Sequence, residues 1–275
     1  MLTDKKLTDK KLTDKSTDRL PDEPGIRPRR VLITGAAGAI GRVVGSHLLA
    51  RGHSVRGFDM VPVPALADHH VGNLADRSAV RSAVAGMDTV IHLAAYRNDA
   101  DFMEVLLEPN VIGLYEICEA AQLAGVERLV LASTMQVING FGEADEPIAI
   151  AAGAKPTNHY ALTKQWAEIT GAMYARCHNL SVINVRIGWF PRDQIIVERM
   201  LASARGTDLY FSHADAERFF ARCVESTAPV RGKCVTLFAA SKAHGRARFD
   251  FTTARATIGY VPHDRWPEGI PFPVQ

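Results

Sequence analysis

The chain has 275 residues, 47% of them hydrophobic and 23% charged, and a formal net charge of +2. This is ordinary globular composition at a length that suits one large domain, or one domain with a small lobe. The near-neutral balance argues against nucleic acid or an anionic membrane as partner. No apolar run approaches the roughly 20 residues of a membrane span, and the N-terminus lacks the apolar stretch of a secretory signal.

The first 30 residues carry nine Lys/Arg and six Asp/Glu, which leaves 23 basic and 24 acidic side chains for the rest. The basicity therefore belongs to the tail. That tail is a repeat, Leu-Thr-Asp-Lys-Lys at 2–6 and 7–11, then Leu-Thr-Asp-Lys at 12–15. A period of five matches neither a helix stripe nor a strand, and so polar a segment buries too little to offset ordering entropy. Residues 1–28 are expected to be disordered.

Order begins with the apolar run Val31-Leu32-Ile33, a buried-strand signature ending at Thr34-Gly35. A helical pattern follows over 40–51, a strand over 54–58, a helix over 76–85 and a strand over 89–93. Residues 102–124 read as one long amphipathic helix with an irregular start at Pro109. A strand is predicted at 129–132, a helix at 159–176 and a strand at 181–186. Strands apolar throughout and alternating with helices predict an α/β fold, a doubly wound parallel sheet of Rossmann type covered on both faces. After Gly188 the alternation weakens. Ser212-His213-Ala214-Asp215 reads as a capping box opening a helix to about 225, and 235–238 as one more strand. The expected organisation is a tail at 1–28, a dinucleotide-binding domain at 29–188, and a small C-terminal substrate-binding lobe at 189–275.

The first strand runs into Thr34-Gly35-Ala36-Ala37-Gly38-Ala39-Ile40-Gly41. Gly35 permits the tight turn, Gly38 a close backbone approach to a pyrophosphate, and Gly41 close packing of helix on sheet. The helix N-terminus then offers free N–H groups and its positive dipole end to phosphates. Asp59, 18 residues after Gly41 at the end of the second strand, suits the adenosine ribose hydroxyls and repels a 2′-phosphate. Met60 follows rather than Arg or Lys, so the expected cofactor is NAD rather than NADP, with Arg42 a small counterweight.

Tyr160 and Lys164 are spaced i, i+4 on a predicted helix and share one face. An ammonium there stabilises phenolate and is expected to lower the tyrosine pKa, making a usable general base. Ser133 and Thr134 directly follow the fourth strand, at the carboxyl end where ligands of such sheets sit. One of these hydroxyls is expected to hold the reacting oxygen; the other serves as turn chemistry.

Taken together, the glycine loop, Asp59, His92-Leu93-Ala94-Ala95, Asn110, Ser133-Thr134 and Tyr160…Lys164 resemble the extended short-chain dehydrogenases/reductases, the NAD-dependent epimerase/dehydratase superfamily, over residues 30–190. The resemblance implies Tyr160 as the base, Lys164 as its partner and ribose ligand, Thr134 as the catalytic hydroxyl, and Asn110 as holder of a relay water. It implies Ala39, Ile40, Leu74, Leu93, Ala94, Ala95 and Ile187 along the cofactor. Asn73 departs from the pattern, standing where relatives carry Asp against the adenine.

Within the superfamily the chain is most similar to uronate dehydrogenases, through Asn110-Val111-Ile112-Gly113-Leu114-Tyr115, Val185-Arg186-Ile187-Gly188, Arg199-Met200-Leu201 and Phe211-Ser212-His213. That likeness implies oxidation at C1 of a uronic acid, with Arg199 as the carboxylate clamp. A guanidinium fork suits that task. Departures fall at Arg97, Met135, Gln136 and Trp189, which would shape a bulkier sugar pocket with an extra cation. The expectation is a cytoplasmic homo-oligomer acting on a small sugar or sugar acid. Another sugar dehydrogenase, a sugar-nucleotide epimerase and a non-catalytic NAD(H) sensor are the alternatives. Cys118, Cys177, Cys223 and Cys234 fit neither a zinc site nor a disulfide scaffold and read as reduced thiols.

Overall fold

A computed structural model describes residues 27–272. The repeat of the N-terminal tail, expected to be disordered, lies outside these residues. Seven strands form one parallel sheet: β1 (Arg30–Thr34), β2 (Ser54–Asp59), β3 (Asp68–Val71), β4 (Thr89–His92), β5 (Arg128–Thr134), β6 (Ser181–Ile187) and β7 (Cys234–Ala239). Their spatial order is β3-β2-β1-β4-β5-β6-β7. The order reverses beside β1, and the crevice at that reversal is where a doubly wound sheet holds its ligand.

The helices are α1 (Ala39–Ala50), α2 (Arg77–Val84), α3 (Gly113–Leu123), α4 (His159–His178), α5 (Gln194–Ala202), α6 (His213–Glu225) and α7 (Thr252–Ile258). Side chains alternate across each strand, so the buried residues divide into two cores. Val31, Ile33, Ile91, Val130, Ile183 and Val185 pack with Val44 and Leu48 of α1, Phe219 and Phe220 of α6 and Ile258 of α7. Leu32, Val90, Leu129, Leu131 and Val182 pack with Val80 of α2, Leu114 and Ile117 of α3 and Tyr174 of α4.

Three elements were absent from the sequence reading. β3 is a polar edge strand, Asp-His-His-Val, with its ends exposed. α5 and α7 are short, nine and seven residues. The stretch expected as one helix over 102–124 is divided. Phe102–Ile112 is π-wound around Pro109, and a regular α-helix begins only at Gly113. Proline lacks an N–H and crowds the preceding turn, so the ladder widens there. The segment from 189 onward is shared between two layers. β7 extends the main sheet beside β6 and α6 joins the α1 core, while α5 packs through Ile196, Val197 and Met200 on Tyr210 and Trp266.

Candidate active site

The turn out of β1 is held by Phe58, whose carbonyl accepts from Gly35 N at 2.9 Å. Gly35 has φ +70°, and a Cβ on it would stand 2.8 Å from Ala94 N. A Cβ on Gly41 would stand 2.3 Å from Gly35 O. Both positions therefore exclude any side chain. Gly38 is the N-cap of α1 and supplies no side-chain cap, so the first-turn amides are not spent on a capping group. Ala39 and Ile40 open that helix half-buried, and Gly38 itself is exposed.

Asp59 closes this loop: its Oδ2 accepts from Ala37 N at 2.9 Å, and Oδ1 accepts from Val61 N at 3.4 Å. The carboxylate thus stands at the rim of the glycine turn. Arg42 folds back on the loop, Nε donating to Ala37 O at 2.6 Å. Across the crevice, Thr34 Oγ1 accepts from Ala94 N at 3.2 Å and is hydrogen-bonded to His92 Nδ1 at 2.8 Å. Burial, with Lys164 nearby, pushes His92 down to about 3, so the ring stays neutral. Leu93, Ala94 and Ala95 follow, half-buried, as does Ile187 opposite Thr134 in the sheet register. Leu74 is buried in the α2/α3 core, while the exposed Asn73 bonds Ala75 N through Oδ1 and donates to Glu108 through Nδ2. The fit to a dinucleotide rests on the glycine turn, the unspent amides of α1 and the Asp59 carboxylate at their edge.

Tyr160 and Lys164 sit in the first turns of α4, on its sheet-facing side, 7% and 6% exposed. Asn158 starts that helix, its Oδ1 accepting from Ala161 N at 2.7 Å. Lys164 Nζ is 5.8 Å from the centre of the Tyr160 ring. Burial pulls the ammonium down to about 8 and pushes the phenol up to about 12, with a hydrogen bond from Thr134 opposing the rise. The expected lowering of the tyrosine by its lysine is not found: burial raises the phenol, and the opposing contribution comes from Thr134. Lys164 therefore gives up its proton before Tyr160 does.

Thr134 ends β5 and meets Tyr160. Its neighbour Ser133 does not: the hydroxyl donates to Glu168 Oε1 at 2.6 Å. That carboxylate is also held by Arg186 at 2.9 Å through each oxygen, so Ser133 belongs to a buried structural triad and not to the substrate face. Met135 is likewise withdrawn, packed with Phe238 and Phe249 in a satellite core. Gln136 accepts from Asn158 Nδ2 at 2.9 Å and so braces the α4 cap.

Asn110 is buried and fully engaged. Its Oδ1 accepts from Tyr96 N at 2.7 Å, and its Nδ2 donates to Tyr96 O at 3.0 Å and Thr163 Oγ1 at 3.1 Å. It fixes the exit of β4 against α4. Asp99 adds a second tie that no sequence pattern marks, accepting from Tyr160 N at 3.2 Å. Arg97 lies exposed between those ties; Arg199 is exposed on α5, and Trp189 is half-buried beside Tyr210.

The description "NAD dependent epimerase/dehydratase family" matches residues 31–190. The chain is 32% identical to an L-arabinose 1-dehydrogenase (NAD(P)(+)) of Haloferax volcanii over 250 residues, covering 86% of this chain and 96% of that one. It is 35% identical to a uronate dehydrogenase of Pseudomonas putida over 179 residues, 63% of this chain and 65% of that one. Among solved structures, a mutant uronate dehydrogenase from Agrobacterium tumefaciens complexed with NAD superposes with a TM-score of 0.75 at 29% identity, covering 90% of this chain and 92% of that one. The chain is an NAD-dependent oxidoreductase and belongs to the NAD-dependent epimerase/dehydratase family.

Proposed function

We propose that the enzyme oxidises a sugar hydroxyl, C1 of a uronic acid being the favoured case, to an aldarolactone. The observation that carries this reading is the meeting of Thr134, Tyr160 and Lys164 beside the glycine cradle. Thr134 orients the reacting oxygen and Tyr160 receives its proton. Lys164, on the same helix face, stabilises the phenolate that accepts this proton and would hold a ribose hydroxyl. NAD, when bound, supplies the hydride acceptor. Asn110 acts here by fixing the β4 exit against α4. Arg199 is the candidate carboxylate clamp, carried by the chain beyond residue 188.

A neutral aldose is the second reading, favoured by the likeness to the arabinose dehydrogenase over nearly its whole length. NADH formation from galacturonate, glucuronate and a panel of neutral aldoses separates the two, with Tyr160→Phe as the blank. Uronate turnover lost in the blank supports the first. Turnover of neutral sugars alone removes the clamp role from Arg199. Silence on every sugar, with NAD bound, sinks both and favours a cofactor-sensing role.

Assembly as a homo-oligomer is part of the same proposal. α3 and α4 leave Tyr115 and Leu123, and Leu162, Trp166 and Ile169, exposed. The last three recur at i, i+4 and i+7 and form one apolar stripe, which a second copy would cover. Light scattering on Trp166→Glu tests it, with a smaller species expected. The four cysteines are all free, which supports a reducing, cytoplasmic setting. Among the described residues no helix is long and apolar enough to cross a membrane.

A further inference from the structure

The substrate end of the site carries more positive charge than one carboxylate needs. Arg97 lies in the loop after β4, Arg192 in the loop after β6, and Arg199 on α5. In the sheet, β4 and β6 stand on either side of β5, and β5 ends in Thr134. The two loops therefore leave the sheet on opposite flanks of the hydroxyl that meets Tyr160.

Both loops are fixed in place. On one flank Asn110 holds Tyr96 by its amide and its carbonyl, and two residues past Arg97 the Asp99 carboxylate accepts from the amide of Tyr160. Arg97 is thus suspended between two anchors, one of them on the catalytic tyrosine's own backbone. On the other flank Gly188 N donates to Ala239 O at 2.8 Å and Trp189 N to Leu209 O at 2.6 Å. His213 Nε2 bonds Pro191 O at 2.7 Å while its ring stacks on Phe190 at 4.3 Å. Arg192 follows directly.

Arg192 lies within electrostatic reach of both other guanidiniums. Burial holds Arg192 below its ordinary value, Arg97 lowers it further, and Arg199 adds to the effect against the opposing pull of Asp193. Asp193 is already divided: Oδ1 accepts from Ile196 N at 2.8 Å to cap α5, and Oδ2 lies 3.4 Å from Arg192 Nε. Asp193 is the acid that acts on Arg192, and among the described residues neither Arg97 nor Arg199 is ion-paired to a carboxylate. Like charges held together on anchored loops repel, and an arriving anion relieves the repulsion. The guanidinium fork matches phosphate as well as carboxylate.

We propose that Arg97 and Arg192 form an anion subsite for a phosphoryl group, which makes a phosphorylated aldose a substrate. The reacting hydroxyl lies on Thr134 and Tyr160, and the phosphate ester lies between the two loops. This rests on the sugar-oxidising reading given above and departs from its uronate case. A uronate brings one negative charge, which Arg199 alone can match. A phosphate monoester brings about −1.5 to −2 at neutral pH, which suits the further guanidiniums of Arg97 and Arg192.

The test compares kcat/KM with NAD for glucose 6-phosphate, galactose 6-phosphate and ribose 5-phosphate against the parent sugars, galacturonate and glucuronate. Phosphorylated sugars are expected to lead by about tenfold or more, the scale of a good charge-assisted contact. Arg97→Ser and Arg192→Gln are each expected to cut the ratio of phosphorylated to neutral substrate by about tenfold, through KM. Equal ratios in wild type and variants, or a uronate preferred over every phosphorylated sugar, overturn the subsite. A second arm titrates inorganic phosphate into the NADH-loaded full-length protein by calorimetry, free of any turnover. Saturable binding weakened in both variants supports the subsite even if no sugar is oxidised, in which case only the sugar-oxidising reading fails. Absence of binding, or binding indifferent to both substitutions, overturns it while leaving uronate oxidation open.

Discussion

Lys164 is a charged group buried against its own preference, and removing the charge should stabilise the protein while destroying its activity. The side chain is 6% exposed, and burial brings its ammonium from 10.5 down to about 8. That fall costs the folded state about 3 kcal/mol at pH 7. The unfolded chain keeps this proton up to about pH 10.5, whereas the folded chain releases it near 8. Between those values the unfolded state binds more protons, so the lysine's penalty fades as pH rises. Lys164→Met retains most of the stem volume without the charge. Urea denaturation at pH 7 should show the variant more stable by about 2–3 kcal/mol, with a thermal midpoint about 6 °C higher. The advantage should roughly halve by pH 9.5 and vanish near pH 11. Turnover should fall by about a hundredfold or more, since the phenolate loses its partner. A variant no more stable than wild type at pH 7, or an advantage independent of pH, refutes the desolvation argument.

Three further outcomes follow from the same site. The first proton lost by Tyr160 and Lys164 leaves near pH 8, so kcat/KM for oxidation, which needs phenolate beside ammonium, should rise about tenfold per pH unit below that value and level above it; a flat profile from pH 6 to 9 contradicts a tyrosine base beside a lysine of that kind. Asp59→Asn keeps an acceptor for Ala37 N but loses the negative charge, so the KM for NAD should rise about tenfold and discrimination against NADP should shrink; steady-state kinetics with both cofactors decides. Glu168→Gln leaves Arg186, 3% exposed, without its counter-charge, and chemical denaturation should show a loss of about 3–5 kcal/mol.

The dinucleotide half of the molecule was legible because its constraints are local. A strand that is apolar throughout, a glycine wherever backbone must approach backbone, and an acid at the next strand end each follow from neighbours in sequence. The elements that escaped notice lacked such a signal. β3 borders solvent at the sheet edge, so Asp68, His69 and His70 need not be apolar. α7 is too brief to display a period, and α5 carries exposed Ile195 and Leu201 beside its buried Ile196, Val197 and Met200, which blurs its stripe. The segment 102–112 kept its apolar spacing, but Pro109 forced a wider winding that hydrophobic pattern does not encode.

The catalytic candidates were harder for a related reason, and the pair Ser133-Thr134 shows it. Both are hydroxyls at the end of one strand, and composition does not separate them. Parity does. Leu129 and Leu131 face the α4 core, while Val130 faces the α1 core, so Ser133 must point with the leucines, toward α4. There it finds Glu168, and Arg186 reaches the same carboxylate from β6 because it shares a face with Val182 and Asn184. Thr134 is the terminal residue, where the strand gives way to the 3-10 turn Met135–Ile138 and its side chain caps that turn by accepting from Gln136 N at 3.3 Å. Freed from the alternation, it can meet Tyr160. The period of two that predicts the core thus also decides which hydroxyl is spent on structure and which is left for chemistry. No comparable rule reaches Arg97 and Arg192. They come from loops separated by almost a hundred residues, and only the order β4-β5-β6 brings them to opposite sides of one threonine.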